Sequence, residues 1–431
     1  MSSPVRVLTA VPICDGHDSA INTINLEFIR HGIEVVYLGF HRYVGDIVRA
    51  AIQEDVAAVG ISSYNGGHIE FFAEVVRQLR KKGADDIAVF GGGGGTITHD
   101  DARIMKRKGV DEIFFAGTSL EQMADYVREN YGNQRRKRTD AKGDLALARK
   151  LTEIEDAFTS GKRNRKPESG KRKNSHRARV IGFTGPGGAG KTTLIDELVL
   201  RFLQGRARPA GAPNTHANSG RIAILSHDPS VVGEGALLGD RATMINSQDD
   251  RVFMRSMATR GQAGGLSPAT ESCLDLLAHS GFDYVFIETV GTGQEAMPFR
   301  NRLVDQTVLV MNPDYGARLQ LQKIVMLDVA DIVVVNKTDL ERAKAALSEI
   351  EHRLTQNKRD QQIVATVAKR HRDPGVDELY EMLTREAVRP SATTPLDGRH
   401  REESNHRRKP RSRRSQTAVA ANQWRATRSS G

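Results

Sequence analysis

The chain has few of the residues that build disulfide scaffolds or membrane spans. Only two of its 431 residues are cysteines, Cys14 and Cys273, and they lie far apart in the sequence. This excludes a disulfide framework and a CxxC metal site, and it favours a reducing compartment. No apolar run approaches the roughly 18 residues that a membrane span needs, and the N-terminus has no signal-peptide pattern. We therefore expect a cytoplasmic protein with no membrane partner.

Aromatic residues are also scarce, at 5%, although the net charge is +10. The positive charge is concentrated in two segments: residues 135–180 contain 16 Lys/Arg and 6 Asp/Glu, and residues 391–431 contain 10 and 3. The remainder of the chain is mildly acidic. Nucleic-acid-binding domains usually carry basic residues on a folded face with interleaved aromatics. Nucleic acid is therefore not favoured as a partner.

Residues 5–131 alternate between short apolar runs and longer segments with helical spacing. The five runs, VRVLTAVPI, EVVYLGF, VAAVGIS, DIAVFGG and EIFFAG, predict a five-stranded parallel sheet covered by helices on both faces. Ligands of such α/β sheets bind at the carboxyl ends of the strands. In this chain the segments at those ends are DGHDSA (15–20), SSYNGGH (62–68) and GGGGGTI (91–97). We assign residues 1–134 to this first domain.

Residues 135–179 are predicted to be a basic linker that contains one helix. A second α/β domain is predicted for residues 180–388, with the strand-like runs VIGFTG, RIAILSH, FDYVFIETVG, QTVLVMN and IVVVNK. Residues 389–431 have no hydrophobic period and are rich in arginine, which is typical of disorder.

The strongest chemical signal is the P-loop Gly185-x4-Gly190-Lys191-Thr192, which follows an apolar strand and opens an apolar-periodic helix. Glycines let backbone N–H groups converge on phosphate oxygens, and the helix N-terminus adds its positive dipole end. Lys191 is expected to reach the β and γ phosphates and the Thr192 hydroxyl to ligate Mg²⁺. The nucleotide-binding residues predicted from this loop are Gly187, Gly188, Ala189, Gly190, Lys191, Thr192 and Thr193.

The base is predicted from Asn336-Lys337-Thr338-Asp339, which follows another buried strand. A carboxylate at Asp339 can accept hydrogen bonds from guanine N1–H and the 2-amino group, which adenine lacks. About 145 residues after a P-loop, this pattern favours GTP over ATP.

Further acidic residues are candidates for the metal and the attacking water. Asp228 ends the run RIAILSHD, and Glu288 ends the run YVFIE. Asp240, in a glycine-rich segment, is a third candidate, although a solvated loop acid would look the same. We expect Lys191, Glu288 and Asp240 to be catalytic. Three arginines are candidates for stabilising transition-state charge, and the sequence does not choose among them: Arg241, Arg251 and Arg255.

The motifs GPGGAGKTTLIDEL, HDPS, LLGDR, ETVGTGQEA and NKTD resemble the GTPases that accompany methylmalonyl-CoA mutase and related cobalamin-dependent mutases. The resemblance spans roughly residues 180–385 and implies a SIMIBI-class GTPase. At matching positions it places Thr192, Asp228, Asp240 and Glu288 in the magnesium environment, with Thr289 beside them. It also assigns residues 336–339 to guanine.

Asp15 and His17, at the end of the first strand, allow three interpretations. The pair can be a polar turn in which the imidazole only satisfies a backbone carbonyl. Asp15 can be the phosphoacceptor of a receiver domain, but the required acidic pair and lysine do not occur in the right form. The pair can also hold a metal-bound cofactor, with His17 as the ligand and Asp15 fixing its tautomer.

Residues 1–135 resemble the B12-binding domain of the acyl-CoA mutases, and this favours the third interpretation. The resemblance implies that His17 is the lower axial cobalt ligand within D-x-H-x-x-G, where Ala20 replaces the last glycine. It implies a slot for the dimethylbenzimidazole tail, lined by Ser62-x-Tyr64, where Tyr64 replaces a leucine, and by Gly91, Gly92 and Gly93. Of the other histidines, only His68 is expected to approach the corrin.

The order of the two domains resembles the fused isobutyryl-CoA mutases, in which a substrate-binding barrel follows the GTPase domain. Here arginine-rich sequence follows about Val388, as after a truncation or a change of frame, so we expect no mutase turnover by this chain alone. We expect adenosylcobalamin, GTP and Mg²⁺ as cofactors. Expected partners are an acyl-CoA mutase barrel or subunit, an adenosyltransferase-type cobalamin donor and a second copy of the chain. Two alternatives are a cobalamin carrier for a separate mutase subunit and a B12-sensing regulator that binds nucleic acid through its tail.

Overall fold

The computed structural model describes residues 4–13, 15–16, 19–132, 141–160, 177–205, 220–231, 234–262, 264–291, 298–299, 303–315, 325–357 and 360–385. The strands are β1 Arg6–Ala10, β2 Glu34–Tyr37, β3 Ala58–Ser62, β4 Ala88–Gly92, β5 Glu112–Phe114, β6 Arg179–Thr184, β7 Ile222–Asp228, β8 Ala236–Leu238, β9 Val252–Ala258, β10 Tyr284–Glu288, β11 Gln306–Met311, β12 Ile332–Val335 and β13 Gln362–Ala365. The helices are α1 Ser19–Arg30, α2 Val44–Glu54, α3 His68–Lys81, α4 His99–Arg107, α5 Leu120–Tyr131, α6 Gly143–Thr159, α7 Lys191–Leu203, α8 Asp240–Thr243, α9 Thr270–Ala278, α10 Ala343–Thr355 and α11 Pro374–Thr384.

The first sheet has the strand order β5-β4-β3-β1-β2-β8, and every strand pair is parallel. Its first five strands are the five predicted runs, in the flavodoxin-like order, which confirms the predicted fold class. β1 and β3 are buried along their whole length, as expected for a sheet covered on both faces. Capping boxes at Thr98 and Ser119 begin α4 and α5 just beyond the carboxyl ends of their strands.

The sixth strand of this sheet, β8, comes from the second half of the sequence. Ala236 pairs with Glu34 and Leu238 pairs with Val36 in parallel register. The side chains of Ala236 and Leu238 are buried in the same apolar core as Val36. The second half of the sequence therefore completes the edge of the N-terminal sheet, which the five-stranded prediction did not include.

The second sheet has the order β13-β12-β11-β6-β10-β7-β9 and is also parallel throughout. Five of its strands are the predicted runs, whereas β9 and β13 were not predicted. β6 lies centrally, and α7 begins at Lys191, directly after the P-loop. The carboxyl ends of β6, β7, β10 and β12 therefore deliver the P-loop, Asp228, Glu288 and the NKxD segment to one edge of the sheet.

A buried polar network joins the two sheets. Glu54, at the end of α2, accepts hydrogen bonds from the Arg241 Nε and the Ser256 Oγ, each at 3.0 Å. Glu155 of α6 contacts Arg255 at 2.6 Å and Arg6 at 2.9 Å. Burial alone would raise the pKa of Glu155, but these guanidinium groups, with that of Arg260, lower it to about 2. The Glu155 carboxylate therefore stays ionised inside the protein.

The helix predicted in the linker is α6, and it packs against the folded core through Leu145, Ala148 and Leu151. The predicted domain bounds stay predictions, and the predicted disordered tail lies outside the described residues. None of the described helices is both long enough and apolar enough to cross a membrane.

Candidate cofactor and nucleotide sites

A cavity of about 370 Å³ opens at the carboxyl edge of the first sheet. Its lining includes most of the residues predicted for the cofactor slot: Ala20, Ser62, Tyr64, Gly91, Gly92 and Gly93. Apolar side chains of α1, including Ile21 and Phe28, form another part of the wall. A volume of this size and a mostly apolar lining are typical of a small-molecule or cofactor site.

The glycine run is required by close approaches of neighbouring backbone. A Cβ atom on Gly91 would lie 2.2 Å from the Ile61 carbonyl oxygen, and one on Gly93 would lie 2.1 Å from the Ser63 carbonyl oxygen. Gly94 has a φ of +50°, and a Cβ there would lie 2.1 Å from the ring of Tyr64. The run therefore does more than leave a slot free of side chains, because it also lets β4 and its loop pack closely against the β3 edge.

Asp15 is fully buried next to this slot. Its Oδ2 accepts a hydrogen bond from the backbone N–H of Tyr64. The first β–α loop is thereby tied to the loop that carries Tyr64. His17 and Cys14 lie outside the described residues, so the assignment of His17 as the cobalt ligand and of Asp15 as its partner stays a prediction.

His68 does not line the cavity. It begins α3, is 8% exposed, and its Nε2 lies 3.4 Å from the Asp101 carboxylate of α4. The structure does not bring His68 to the cavity, and the expectation that His68 approaches the corrin stays a prediction. The side chain packs between two helices because it lies on the buried face of α3, a placement that the local sequence NGGH did not reveal.

A residue of the cavity wall also has an unsatisfied polar atom. Thr9 lines the cavity, and its buried Oγ1 has no partner among the described residues. A buried hydroxyl without a partner costs free energy. A ligand with a polar group that reaches β1 would remove this cost, which fits the polar and apolar character of a cobalamin tail.

The P-loop has the conformation that close packing around a phosphate site requires. Gly185, Gly188 and Gly190 have positive φ angles of 141°, 71° and 89°. The Lys191 Nζ donates to the carbonyl oxygens of Gly185 and Pro186 at 3.2 and 3.3 Å. Burial lowers the pKa of Lys191, and the carboxylates of Glu288 and Asp240 oppose that shift. The ammonium therefore lies over the loop, where phosphate oxygens would be its natural counter-charges.

Three carboxyl groups meet beside the P-loop. The Glu288 Oε1 accepts from the Thr192 hydroxyl at 2.7 Å, and the Asp240 Oδ2 accepts from the Ser226 hydroxyl. Burial and the neighbouring Asp240 raise the pKa of Glu288 to about 8. Burial raises the pKa of Asp240, and burial with the charge of Asp240 raises that of Asp228. Asp240 is thus not a solvated loop acid.

This cluster fits a divalent cation. One oxygen each of Asp228 and Glu288 is buried without a partner among the described residues. Hard carboxylate and hydroxyl oxygens are the ligands that Mg²⁺ prefers, usually together with water and substrate phosphates. No three His, Cys, Asp or Glu side chains in the described part of the chain form a complete metal site. A cation here would therefore need Thr192 and phosphate oxygens as well.

Thr289 has a different contact from the one expected. Its buried hydroxyl donates to the Thr184 Oγ1 at 3.1 Å, and its backbone N–H donates to the Phe183 carbonyl. The side chain therefore joins β10 to β6. These contacts of Thr289 do not involve the three carboxyl groups, and its place in the magnesium environment stays a prediction.

The NKxD segment is held by a loop that the sequence analysis missed. The Asn336 Oδ1 accepts from the Ala368 backbone N–H at 3.0 Å and from the Thr366 hydroxyl at 3.1 Å. The Asn336 Nδ2 donates to the Ala189 carbonyl of the P-loop at 2.9 Å. Lys369 forms an ion pair with Asp339 at 2.5 Å. The stretch ATVAK (365–369), which begins at the last residue of β13, was the signal in the sequence that could have indicated this loop.

The remaining residues of this segment are placed by backbone contacts. Lys337 has a left-handed φ of 61°, and Thr338 donates to the Thr366 carbonyl through both its backbone N–H and its hydroxyl. Gly187 and Gly188 are exposed at the tip of the P-loop. Thr193, on the first turn of α7, is also exposed. The predicted phosphate and guanine residues are therefore brought to one site.

The three candidate arginines are engaged elsewhere. Arg241 and Arg255 are fully buried and contact Glu54 and Glu155, respectively. Arg251 contacts the neighbouring Asp249 and the Leu203 carbonyl. These contacts argue against the expectation that one of them stabilises charge at the nucleotide.

These two sites define the class of protein: a flavodoxin-like cofactor-binding domain is joined to a P-loop GTPase. The family profile described as "Methylmalonyl Co-A mutase-associated GTPase MeaB" matches residues 147–423, and that of the B12 binding domain matches residues 5–124. The chain belongs to the family of methylmalonyl-CoA mutase-associated GTPases. The match begins within the predicted linker and extends into the predicted tail.

The relatives carry the same pair of domains in longer proteins. The fused isobutyryl-CoA mutase of Cupriavidus metallidurans is 35% identical over 425 residues, which cover 92% of this chain and 38% of that protein. Those of Geobacillus kaustophilus and Nocardia farcinica are each 34% identical, over 88% of this chain and 36% of theirs. The chain thus spans little more than a third of the length of these relatives.

Proposed function

We propose that this chain is the cofactor-binding and GTP-hydrolysing part of a fused acyl-CoA mutase, and that its GTPase gates the loading of adenosylcobalamin. The observation that carries the proposal is the joining of two ligand sites in one folded unit, in which β8 of the GTPase half completes the sheet that carries the cofactor slot. A nucleotide-dependent change near Asp240 could reach the first domain with little intervening structure.

In the first domain, His17 would hold the cobalt and Asp15 would position the loop that presents it. The slot beside Tyr64 and the glycine run would hold the nucleotide tail of the cofactor. Bound adenosylcobalamin supplies the organic radical for a carbon-skeleton isomerisation, for which isobutyryl-CoA is the proposed substrate. The barrel that would bind that substrate is the proposed partner.

In the second domain, GTP would bind between the P-loop and the Asn336–Asp339 segment. Water would attack the γ-phosphorus while the bond to the bridging oxygen of GDP breaks. Lys191 would stabilise the charge on the phosphates, and the raised pKa of Glu288 suits a group that orients the attacking water and exchanges a proton with it. Thr192, Asp228 and Asp240 would hold Mg²⁺, which supplies further charge neutralisation.

The proposal is tested by absorption spectra of the chain with adenosylcobalamin. An imidazole bound to cobalt gives a spectrum like that of the base-on cofactor. After removal of free cofactor, we therefore expect a nitrogen-coordinated spectrum for the wild type and for Thr23→Ala, on the slot wall, and a base-off spectrum for cofactor bound to His17→Ala. GTP hydrolysis should continue in both variants because Lys191 is untouched. Bound cofactor that keeps the nitrogen-coordinated spectrum in His17→Ala would contradict the assignment of the cobalt ligand.

A second experiment separates the fused function from that of a carrier. Isobutyryl-CoA isomerisation is assayed with the chain alone and with a separately expressed mutase barrel. Activity only with the barrel supports the proposed partner. Stable transfer of cobalamin to a complete mutase subunit would instead support the carrier.

A further inference from the structure

A short covalent and hydrogen-bonded route connects the acid cluster at the nucleotide site to the first β–α loop of the cofactor domain. It begins at Asp240, whose carboxylate accepts from Ser226 and whose charge acts on Asp228 and Glu288. Asp240 opens α8, only two residues after β8 ends at Leu238. Any displacement of Asp240 by a bound nucleotide therefore acts on the four residues of α8.

The route crosses between the two halves at Arg42. The Arg42 Nη2 donates to the carbonyl oxygen of Ala242 in α8 at 2.8 Å. No carboxylate lies within ion-pair distance of Arg42 among the described residues, and its Nε is buried without a partner there. Burial lowers the pKa of Arg42. This partly buried guanidinium is thus held to the other half by a main-chain carbonyl, whose position depends on α8.

The backbone of Arg42 continues the route to the cofactor loop. Its N–H donates to the Val11 carbonyl at 3.0 Å, and the Val11 N–H donates to the Gly39 carbonyl at 3.0 Å. Pro12 and Arg42 form a parallel bridge. The Pro12 carbonyl then accepts from the Asp15 N–H at 3.0 Å. Arg42 therefore contacts α8 with its side chain and the start of the Asp15 loop with its backbone.

We propose that Arg42 is a positioning residue that couples the nucleotide state of the GTPase to the cobalamin-binding loop. The inference rests on the proposed function, and it adds the structural connection through which the GTPase would gate the loading of adenosylcobalamin. Movement of α8 on nucleotide exchange shifts the Ala242 carbonyl, and Arg42 transfers that shift to the Pro12–Asp15 segment. Coupling of this kind requires a differential interaction in the two nucleotide states.

The test measures the dissociation constant of adenosylcobalamin by absorption, with Mg²⁺ and either GDP or a non-hydrolysable GTP analogue. For the wild type we expect the two constants to differ by about fivefold or more, the lower range of allosteric coupling. Arg42→Ala should bring the ratio to within about twofold of unity, because the link to α8 is lost. Both ligands should still bind, since Arg42 lies in neither site.

Arg49→Ala is the matched control. Arg49 lies on α2 and contacts Asp250, so it also joins the two halves, but its partner lies in the turn before β9 and not in α8. Its variant should keep the wild-type ratio. Arg42→Met keeps much of the aliphatic stem but has no donor for the Ala242 carbonyl, and it replaces the alanine variant if that protein does not fold.

The outcomes distinguish this inference from the proposed function. A ratio lost in the Arg42 variant and retained in Arg49→Ala supports the coupling role. A full ratio in the folded Arg42 variants overturns it and leaves the gating function intact. A wild-type ratio of one, with both ligands bound, overturns the gate and the coupling together. A wild type that does not bind adenosylcobalamin overturns the proposed function itself.

Discussion

Glu54→Gln tests whether the buried ion pair between the halves stabilises the whole unit. Glu54 has no exposed surface, and its carboxylate accepts from Arg241, from the Ser256 hydroxyl and from the Ser256 backbone N–H at 3.0 Å. Glutamine keeps the size of the side chain and one acceptor oxygen. It removes the charge that compensates the guanidinium of Arg241, which is itself fully buried.

Breaking a buried ion pair by removing one partner costs about 3–5 kcal/mol. The cost at this site should lie near the lower end of that range, at about 3 kcal/mol, because Arg241 still donates to the Gln53 side chain and the Met254 carbonyl. With a urea dependence of about 3 kcal/mol per M, the midpoint of unfolding should fall by about 1 M. The free energy of unfolding should fall in both halves.

Urea denaturation followed by circular dichroism measures the midpoint, and hydrogen exchange at β2 and β9 shows which sheet loses protection. Glu74→Gln is the control, because Glu74 forms an exposed pair with Arg77 and its loss should leave the midpoint unchanged. Glu54→Leu combined with Arg241→Met removes both charges and should recover most of the loss. A midpoint for Glu54→Gln equal to that of the control would refute the reasoning.

Three further predictions concern the GTPase half. Lys191→Ala should weaken binding of a fluorescent GTP analogue by about 10–100-fold, because a charged hydrogen bond contributes about 1.5–3 kcal/mol, and unchanged binding would contradict the phosphate role. Asp339→Ala should weaken GTP binding by a similar factor without weakening ATP binding, measured by competition, and equal losses would contradict guanine recognition. Burial lowers the pKa of His227 to about 4, so the native state keeps it neutral and loses up to about 3 kcal/mol of stability as the pH falls from 6.5 to 4. Melting temperatures at pH 7 and 5 should therefore differ less in His227→Gln than in the control His352→Gln, and equal differences would contradict this assignment.

Much of the architecture could be predicted because its signals are local. Each predicted strand is a short apolar run, and both faces of the resulting sheets are buried. The P-loop is similarly local, since its glycines, Lys191 and Thr192 are consecutive in the sequence and its conformation depends on positive φ angles at glycine. The slot residues at 62–64 and 91–93 were found because parallel strands bring their carboxyl ends together.

Side-chain direction could not be predicted in the same way. His68 and Thr289 were both predicted to belong to the sites. In the structure, His68 packs between α3 and α4, and the Thr289 hydroxyl donates to Thr184 of β6. The three candidate arginines were chosen for their charge and position along the chain. Their partners are carboxylates and carbonyls. Arg241 contacts Glu54 of the cofactor half and Arg255 contacts Glu155 of the helix in the predicted linker, so no local pattern indicates these partners.

The strand β8 shows why the relation between the halves was invisible in the sequence. Three residues, Ala-Leu-Leu, are too short for a period to be recognised, and their partner β2 lies about 200 residues earlier. Alone, such a segment would resemble a loop between two glycines. Pairing with β2 buries Ala236 and Leu238 and pairs the backbone of the segment along one side, so the segment is ordered by the cofactor domain. The residue that follows this strand and Gly239 is Asp240, and the position of one acid at the nucleotide site is therefore set by the sheet that carries the cofactor slot.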